Sequence, residues 1–219
     1  KSMVGAFVQA SYRSSSAILG TAFIHNIYGS SSFAPLMIIS CVPLYNIFAV
    51  IILTYESDSK DSNNFKKMAI EICKNPIILA ILAGILASYL DIRFPLIINK
   101  SISNLGSMAT PLALLTVGLS FEGKKSIKKI KPSLIASNIK LVLHPIIFIP
   151  FAIYLGFRDE KLMAILIMLA SPATSSCYIM AANTNNDTVL TSSIIVLTTF
   201  FSSITLTTFI FILSTLGYV

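Results

Sequence analysis

Long apolar stretches with almost no charged residues dominate this sequence and restrict the chain to a lipid environment. Ser32–Tyr55 contains no Lys, Arg, Asp or Glu, and neither does Thr188–Leu216. Of the 219 residues, 55% are apolar and 11% are charged, whereas soluble domains carry about 25% charged residues. A helix needs about 20 apolar residues to cross the hydrocarbon core of a bilayer. We therefore predict an all-α polytopic membrane protein.

The apolar pattern predicts seven membrane spans. The third is short for the hydrocarbon thickness, and the first and sixth are interrupted near their centres. The spans are Val4–Tyr28, Ser32–Tyr55, Asn75–Leu90, Phe94–Phe121, Ile130–Leu155, Lys161–Asn183 and Thr188–Leu216.

The distribution of basic residues predicts how the chain is oriented in the membrane. Glu56–Lys74 contains four Lys and Glu122–Lys131 contains five, whereas Asp91–Arg93 and Arg158–Lys161 together contain three Lys and Arg. Because cytoplasmic loops carry an excess of Lys and Arg, we place loops 56–74 and 122–131 in the cytoplasm and the C-terminus outside. This separation of charge also argues against a nucleic-acid-binding face.

A polar segment divides the chain into two parts. Within residues 56–74, Glu56 is followed by SDSKDSNN and then by an amphipathic pattern in which Phe65, Met68, Ala69 and Ile72 share one stripe. We expect a cytoplasmic linker with an interfacial helix here. Residues 1–55 would then hold the last two spans of a first repeat, and residues 75–219 a complete second repeat of five spans. Since the chain starts with Lys1, we expect it to begin inside a larger protein.

Small and helix-breaking residues interrupt two spans at matching positions. Gly20–Ala22 interrupts the first span, and Ser171–Thr174 interrupts the sixth. Interrupted helices leave backbone groups that lipid cannot satisfy, and paired interruptions in two halves of a chain indicate the substrate site of a transporter. Because five spans separate the two breaks, the second half should run in the opposite direction. We predict an inverted-repeat transporter fold with two broken crossover helices.

Several segments resemble one known family in their order and spacing. They are YRSSSAILGTAFIHNIYG, VPLYNIFAVIIL, KNPIILAILAGILASYL, ATPLALLTVGLSFE and ASPATSSCYIMAANTNND. Together they resemble the auxin efflux carrier family, in its bacterial malate/malonate permease-like branch, over essentially the whole chain. The resemblance implies ten spans as 5+5, of which this chain covers spans four to ten and lacks the first three. It also implies crossing broken helices in spans four and nine and export or exchange of small organic anions.

The first crossover of that family usually reads Arg-x-Asn-x-x-x-x-Gly-x-Pro. Arg13 and Gly20 match this motif, whereas Ser15 replaces the Asn and Ala22 replaces the Pro, so we expect a softer kink here than at Pro172. The residues of the two breaks and one Asn on the span between them are the candidate substrate-binding residues. They are Ser15, Gly20, Thr21, Asn46, Ser171, Pro172, Ala173, Thr174 and Ser175.

Pro172 opens its helix because proline lacks an N–H and clashes with the preceding turn. The half-helix that starts near Ala173 should present unpaired N–H groups and a positive dipole end, which bind a carboxylate without a charged side chain. The alternative is a proline kink whose backbone is satisfied by Ser and Thr side chains. Asn46 either braces the first crossover through an interhelical hydrogen bond or reaches the substrate.

Charged residues within or near spans have alternative roles. Arg13 either anchors the cytoplasmic end of the first span or attracts anions, and Lys100 and Lys140 either act inside the membrane or extend to its surface. His25 and His144 are expected to be packing residues rather than proton relays. Asp187 is expected to cap the seventh span, with cation coupling as the alternative.

No enzyme signature or cofactor site is found in the sequence. The three cysteines are far apart, and HExxH, GxSxG and Walker motifs are absent. We predict a secondary transporter, for efflux or exchange, of small organic anions such as mono- or dicarboxylates across the cell (inner) membrane. A proton or sodium ion is considered for coupling, and a homodimer for assembly. The alternatives are an incomplete, non-transporting fragment of such a carrier and a seven-helix receptor-like membrane protein.

Overall fold

Helices make up most of the structure, a computed structural model that describes residues 2–16, 24–28, 33–56, 70, 76–92, 94–119, 121 and 123–219. Within these ranges there is no β-strand. The helices are α1 (Ser2–Tyr12), α2 (Ala34–Tyr55), α3 (Pro76–Tyr89), α4 (Leu96–Leu119), α5 (Gly123–Lys128), α6 (Ile130–Asn138), α7 (His144–Tyr154), α8 (Asp159–Ala170), α9 (Ser176–Asn183) and α10 (Thr188–Thr215). A π-helical turn, Ile139–Leu143, joins α6 to α7.

Four helical stretches of the described chain are long and apolar enough to cross a membrane. They are Leu36–Tyr55, Leu96–Leu119, Ile130–Tyr154 and Thr188–Thr215. Helices α2, α3, α4 and α10 begin and end within about two residues of predicted spans. Proline marks the start of two of them, at Pro35 and Pro76, where its missing N–H costs nothing because the first turn of a helix has no acceptor for it. The prediction of an all-α membrane protein is confirmed.

The sixth predicted span is broken where the sequence indicated. Helix α8 ends at Ala170, residues 171–175 are not helical, and α9 starts at Ser176. The first span differs from its prediction. Helix α1 already ends at Tyr12, and residues 13–15 are not helical. The predicted break at Gly20–Ala22 lies outside the described residues. The non-helical segment 13–15, which the structure does describe, was not predicted.

The two broken helices lie in the interior of the bundle. Six of the 12 residues of α8 are buried and belong to the largest apolar cluster, and Leu162, Leu166 and Ile167 are fully enclosed. Helix α1 packs through small residues such as Ala6 and Ala10, which allow helices to approach closely. By contrast, most side chains described on α3 and α4 are exposed. Lipid-length stretches contact both short helices, because α2, α6 and α10 pack against α1, and α2, α7 and α10 pack against α8.

Residues at the two ends of the bundle form separate sets of contacts. At one end the Lys129 ammonium contacts the Asp187 carboxylate, and the Asp187 N–H donates to the carbonyl of Ser2 at 3.3 Å. At the other end the N–H of Asp159 donates to the carbonyl of Tyr218 at 2.9 Å. The side chain of Asp187 also accepts from the N–H of Leu190 at 2.9 Å, so the predicted cap of the last span is confirmed.

One predicted loop contains a short helix. The basic segment Glu122–Lys131 was expected to be a loop, but Gly123–Lys128 forms α5. Its Lys125 and Lys128 lie in the last turn, where positive charge interacts favourably with the helix dipole. Of the amphipathic helix predicted within residues 56–74, the structure describes only Ile70, which is helical.

Candidate functional site

Two non-helical segments meet in the interior and form the candidate site. The N–H of Ser15, just beyond α1, donates to the carbonyl of Pro172 at 2.9 Å. The hydroxyls of Ser14 and Ser171 lie 2.5 Å apart, and the Ser14 hydroxyl also approaches the Ser171 carbonyl at 3.3 Å. We call residues 13–15 and 171–175 together the crossing. Non-helical backbone at membrane depth is tolerated only inside protein or beside a cavity, and these bonds partly satisfy it.

Arg13 places a buried positive charge at the crossing. Its side chain is 3% exposed. One terminal nitrogen donates to the amide oxygen of Asn46 and to the hydroxyl of Ser176, each at 2.8 Å, and the other contacts the sulfur of Met180. These partners are all neutral, and the guanidinium Nε has no partner among the described residues. The site therefore keeps a net positive charge.

Helix α9 points its N-terminal end at the same place. The N–H of Ala173 donates to the hydroxyl of Thr198 at 3.1 Å, which satisfies one of the groups that the sequence suggested would be free. The N–H groups of Thr174, Ser175 and Ser176 have no acceptor among the described residues. Because the hydroxyl of Ser176 accepts from Arg13 at 2.8 Å, the start of α9 lies beside the guanidinium. Both attract negative charge.

Lys140 supplies a second buried cation at the crossing. Its side chain is 1% exposed. The ammonium donates to the carbonyl of Tyr12 at 3.1 Å, the hydroxyl of Ser14 at 3.1 Å and the carbonyl of Leu169 at 3.2 Å. The suggestion that Lys140 extends to the membrane surface is therefore wrong, since the crossing offers its ammonium three oxygens inside the bundle.

Comparison with known proteins supplies a family. The family model described as membrane transport protein matches residues 4–210. The chain belongs to this family. The match confirms the auxin efflux carrier resemblance, while the malate/malonate permease-like branch stays a prediction. No curated protein and no solved structure matches the chain significantly.

Family membership makes the chain an integral, multi-pass membrane transport protein. The family consists of transporters, not enzymes. The broken helix α8–α9 and its contact with residues 13–15 also disfavour the seven-helix receptor-like alternative, which needs continuous spans.

Most of the predicted site residues of this transport protein lie together. Ser15, Ser171, Pro172, Ala173, Thr174 and Ser175 form the crossing. Asn46 joins it through Arg13, and its own amide nitrogen donates to the carbonyl of Val42 at 2.8 Å. The interhelical hydrogen bond considered for Asn46 is therefore present. Gly20 and Thr21 lie outside the described residues.

Four residues of the site were not among the predicted binding residues, namely Arg13, Ser14, Lys140 and Ser176. Arg13 and Lys140 were recognised as charges inside or near spans, but their roles were left open. The burial of Arg13 also contradicts its interpretation as an anchor at the end of a span. The sequence did contain a signal for the roles of Arg13 and Lys140. Each residue is a cation in an apolar stretch, and the neighbouring spans contain no acidic residue.

Proposed function

We propose that this transport protein carries small organic anions, such as mono- and dicarboxylates, and binds their carboxylate at the crossing. The carboxylate lies between the Arg13 guanidinium and the N–H groups of Thr174, Ser175 and Ser176. The hydroxyls of Ser176 and Thr174, which lie 3.3 Å apart, provide further donors beside it. A carboxylate that accepts from a guanidinium and a helix N-terminus forms charge-assisted hydrogen bonds.

The observation that carries this proposal is the uncompensated charge of Arg13. All nine Asp and Glu of the sequence lie outside the predicted spans, and no described carboxylate is in ion-pair contact with Arg13. A charged side chain buried in a membrane is costly unless it is paired. An anionic substrate supplies the missing partner for as long as it is bound, which explains why the protein keeps this charge.

Alternating access completes the proposed mechanism. The part formed by residues 1–55 rocks against the part formed by residues 75–219 around the crossing. The bound anion then faces each side of the membrane in turn. We place the protein in the cell (inner) membrane, with loops 56–74 and 122–131 in the cytoplasm and the C-terminus outside. Transport then proceeds as efflux or exchange. Coupling to a proton or sodium ion and assembly as a homodimer are not part of this proposal.

Anion flux into proteoliposomes tests the proposal. The full-length protein is reconstituted, and uptake of labelled malate, malonate and benzoate is compared for wild type, Arg13→Gln and Lys161→Gln. Lys161 is the matched control because it is an exposed cation at the end of the bundle, beside the ring of Phe33. We expect Arg13→Gln to reduce uptake of at least one anion by about tenfold or more, the effect of losing a charge-assisted contact, and Lys161→Gln to leave it unchanged. Equal uptake by both variants would contradict the proposal.

A further inference from the structure

Two of the three oxygens around Lys140 are carbonyls at the C-terminal ends of the two short interior helices. Tyr12 is the last residue of α1, and Leu169 is the last but one of α8. Carbonyl groups in the last turn of a helix have no intrahelical donor and carry the negative end of the helix dipole. With the hydroxyl of Ser14, they form a three-oxygen cage at 3.1–3.2 Å from the ammonium of Lys140.

This cage has the chemistry of a site for a monovalent cation. In transporters with discontinuous helices, half-helix C-terminal ends and unwound carbonyls coordinate sodium ions or protons. Here both helix ends converge, yet the described residues around the cage contribute no carboxylate. A cation in this cage has no counter-ion and is held by dipoles alone. The side chain of Lys140 already places a cation there, its own ammonium group.

A π-helical turn in the backbone positions the side chain of Lys140 toward the cage. Lys140 belongs to the π-helical turn Ile139–Leu143, in which the N–H of His144 donates to the carbonyl of Ile139. Pro145 follows and has no N–H to continue the α-helical pattern. π-Helical turns are rare and are often found at functional sites. The wider turn displaces Lys140 from the α-helical register, and its side chain is directed into the bundle although the surrounding helix faces lipid with Leu143 and Ile146.

We infer that the Lys140 ammonium is a tethered substitute for a bound monovalent cation. It joins the carbonyl ends of α1 and α8 permanently, so the native protein binds no sodium ion at this cage and its transport cycle does not depend on one. Removal of the side chain exposes the cage and converts it into a site for a diffusible cation such as sodium or ethylammonium. Lys140 thus acts as a positioning residue for the crossing, because it contacts both broken helices and not the proposed carboxylate.

Thermal unfolding of the purified protein in detergent tests this inference without relying on transport. Wild type, Lys140→Ala and the control Lys124→Ala are compared in chloride salts of sodium, ethylammonium and choline, the last being too large for the cage. We expect Lys140→Ala to unfold at a lower temperature than wild type in choline and to gain about 3–6 °C in sodium or ethylammonium at ten times the dissociation constant. Wild type and Lys124→Ala should show no such difference between the salts. A cation response in wild type, or none in Lys140→Ala, would overturn the inference.

Two further variants decide the matter if Lys140→Ala does not fold. Lys140→Arg keeps a positive charge, and Lys140→Met keeps the length of the stem without it. The inference requires Lys140→Arg to stay close to the wild-type unfolding temperature and Lys140→Met to fall below it. Equal unfolding temperatures for Lys140→Met and wild type would refute a role for the charge.

The dependence of flux on sodium forms a second arm, and this arm rests on the proposed function. We expect anion uptake by the wild type to be the same in sodium, potassium and choline salts. A requirement for sodium would overturn the inference while leaving the proposed anion site intact. If no anion is transported at all, the proposed function fails, and the unfolding measurements still decide the role of Lys140.

Discussion

At the scale of single residues, the contact between Arg13 and Asn46 determines the charge of the site. The Asn46 amide oxygen accepts from the guanidinium at 2.8 Å but carries no charge, so Arg13 stays electrostatically available to a substrate. A carboxylate at the same position would pair with Arg13 and remove this property. The neutral amide is therefore as important to the proposed site as the cation it holds.

Asn46→Asp tests this idea with almost no change in shape. We expect the new carboxylate to form an ion pair with Arg13 and to reduce anion uptake by about tenfold or more, since it competes with the substrate carboxylate for the same donors. The protein should stay folded, because the pair satisfies both groups. Uptake into proteoliposomes and the unfolding temperature are measured together. Asn185→Asp, on an exposed turn at positive φ, is the control, and wild-type uptake by Asn46→Asp would contradict the expectation.

The roles of individual charges were the part of the site that the sequence did not determine. A lysine inside an apolar stretch is compatible with a buried role or with extension to the surface, and only the neighbouring carbonyls decide between them. For Lys140 those carbonyls are those of Tyr12 and Leu169, which are distant in sequence. Arg13 likewise depends on Ser176 and Asn46, which are on other helices. Such contacts follow from how helices pack, which periodicity does not encode.

At the scale of elements, the break in the sixth span is held open by bonds from other segments. The carbonyl of Pro172 accepts from Ser15, and the N–H of Ala173 donates to Thr198 on α10. Proline starts the break by removing one N–H, and these two bonds replace helical partners that its neighbours lose. The non-helical segment is thus specified by the sequence at Pro172 and stabilised by tertiary contacts.

Replacing the proline tests whether the break matters for transport. In Pro172→Ala a backbone N–H returns at this position, and α8 can extend by another hydrogen bond toward α9. We expect anion uptake to fall by about tenfold as the crossing loses its pre-set geometry, with a smaller effect on the unfolding temperature. Lys161→Ala, at the exposed end of α8, is the control. Equal uptake by the two variants would show that the break is only a structural kink.

Thr198→Val tests the support that α10 gives to the break. The substitution preserves the shape of the side chain but leaves the N–H of Ala173, a 3% exposed residue, without its acceptor. An unsatisfied buried donor costs about 1–3 kcal/mol, so the unfolding temperature should fall by several degrees. Thr208→Val serves as the control because Thr208 is exposed on the same helix and bonds only within it. The same decrease in both variants would mean that Thr198 has no special role.

The elements themselves were largely predictable from the sequence, and the reason is physical. In lipid an apolar run must be helical to satisfy its backbone, so the bounds of α2, α3 and α10 follow from where polar residues, proline or charge begin. The end of α1 at Tyr12 did not follow, since Arg13–Ser15 has no proline or glycine. That segment leaves the helix because its N–H and hydroxyl groups bind Pro172 and Ser171 instead.

At the scale of the whole molecule, the contacts at the two ends of the bundle agree with the predicted grouping of segments on the two sides of the membrane. One end joins Ser2, Lys129 and Asp187. Nearby, Gly5 approaches Asn186 and Glu56 so closely that an added Cβ would lie 2.6 Å from the Asn186 side chain. These residues belong to the segments that the Lys distribution places in the cytoplasm or next to it.

The opposite end joins segments that the same rule places outside. The N–H of Phe33 donates to the carboxylate of Glu160 at 2.9 Å, and the guanidinium of Arg158 lies 4.9 Å from the ring centre of Tyr218. Contacts within each end, between residues far apart in sequence, require that the segments lie on the same side of the membrane. The charge rule and the packing therefore give one consistent topology.

Cysteine labelling in intact cells measures that topology directly. In a background with Cys41, Cys73 and Cys177 replaced by Ala, single cysteines are introduced as Lys124→Cys and Lys161→Cys, a matched pair of exposed lysines at opposite ends. Because a membrane-impermeant maleimide reaches only external thiols, we expect it to label Lys161→Cys in intact cells and Lys124→Cys only after permeabilisation. Labelling of both from outside would contradict the separation of the two ends. The reverse pattern would keep that separation but overturn the orientation assigned from the Lys-rich loops, since the excess of Lys would then lie on the external face.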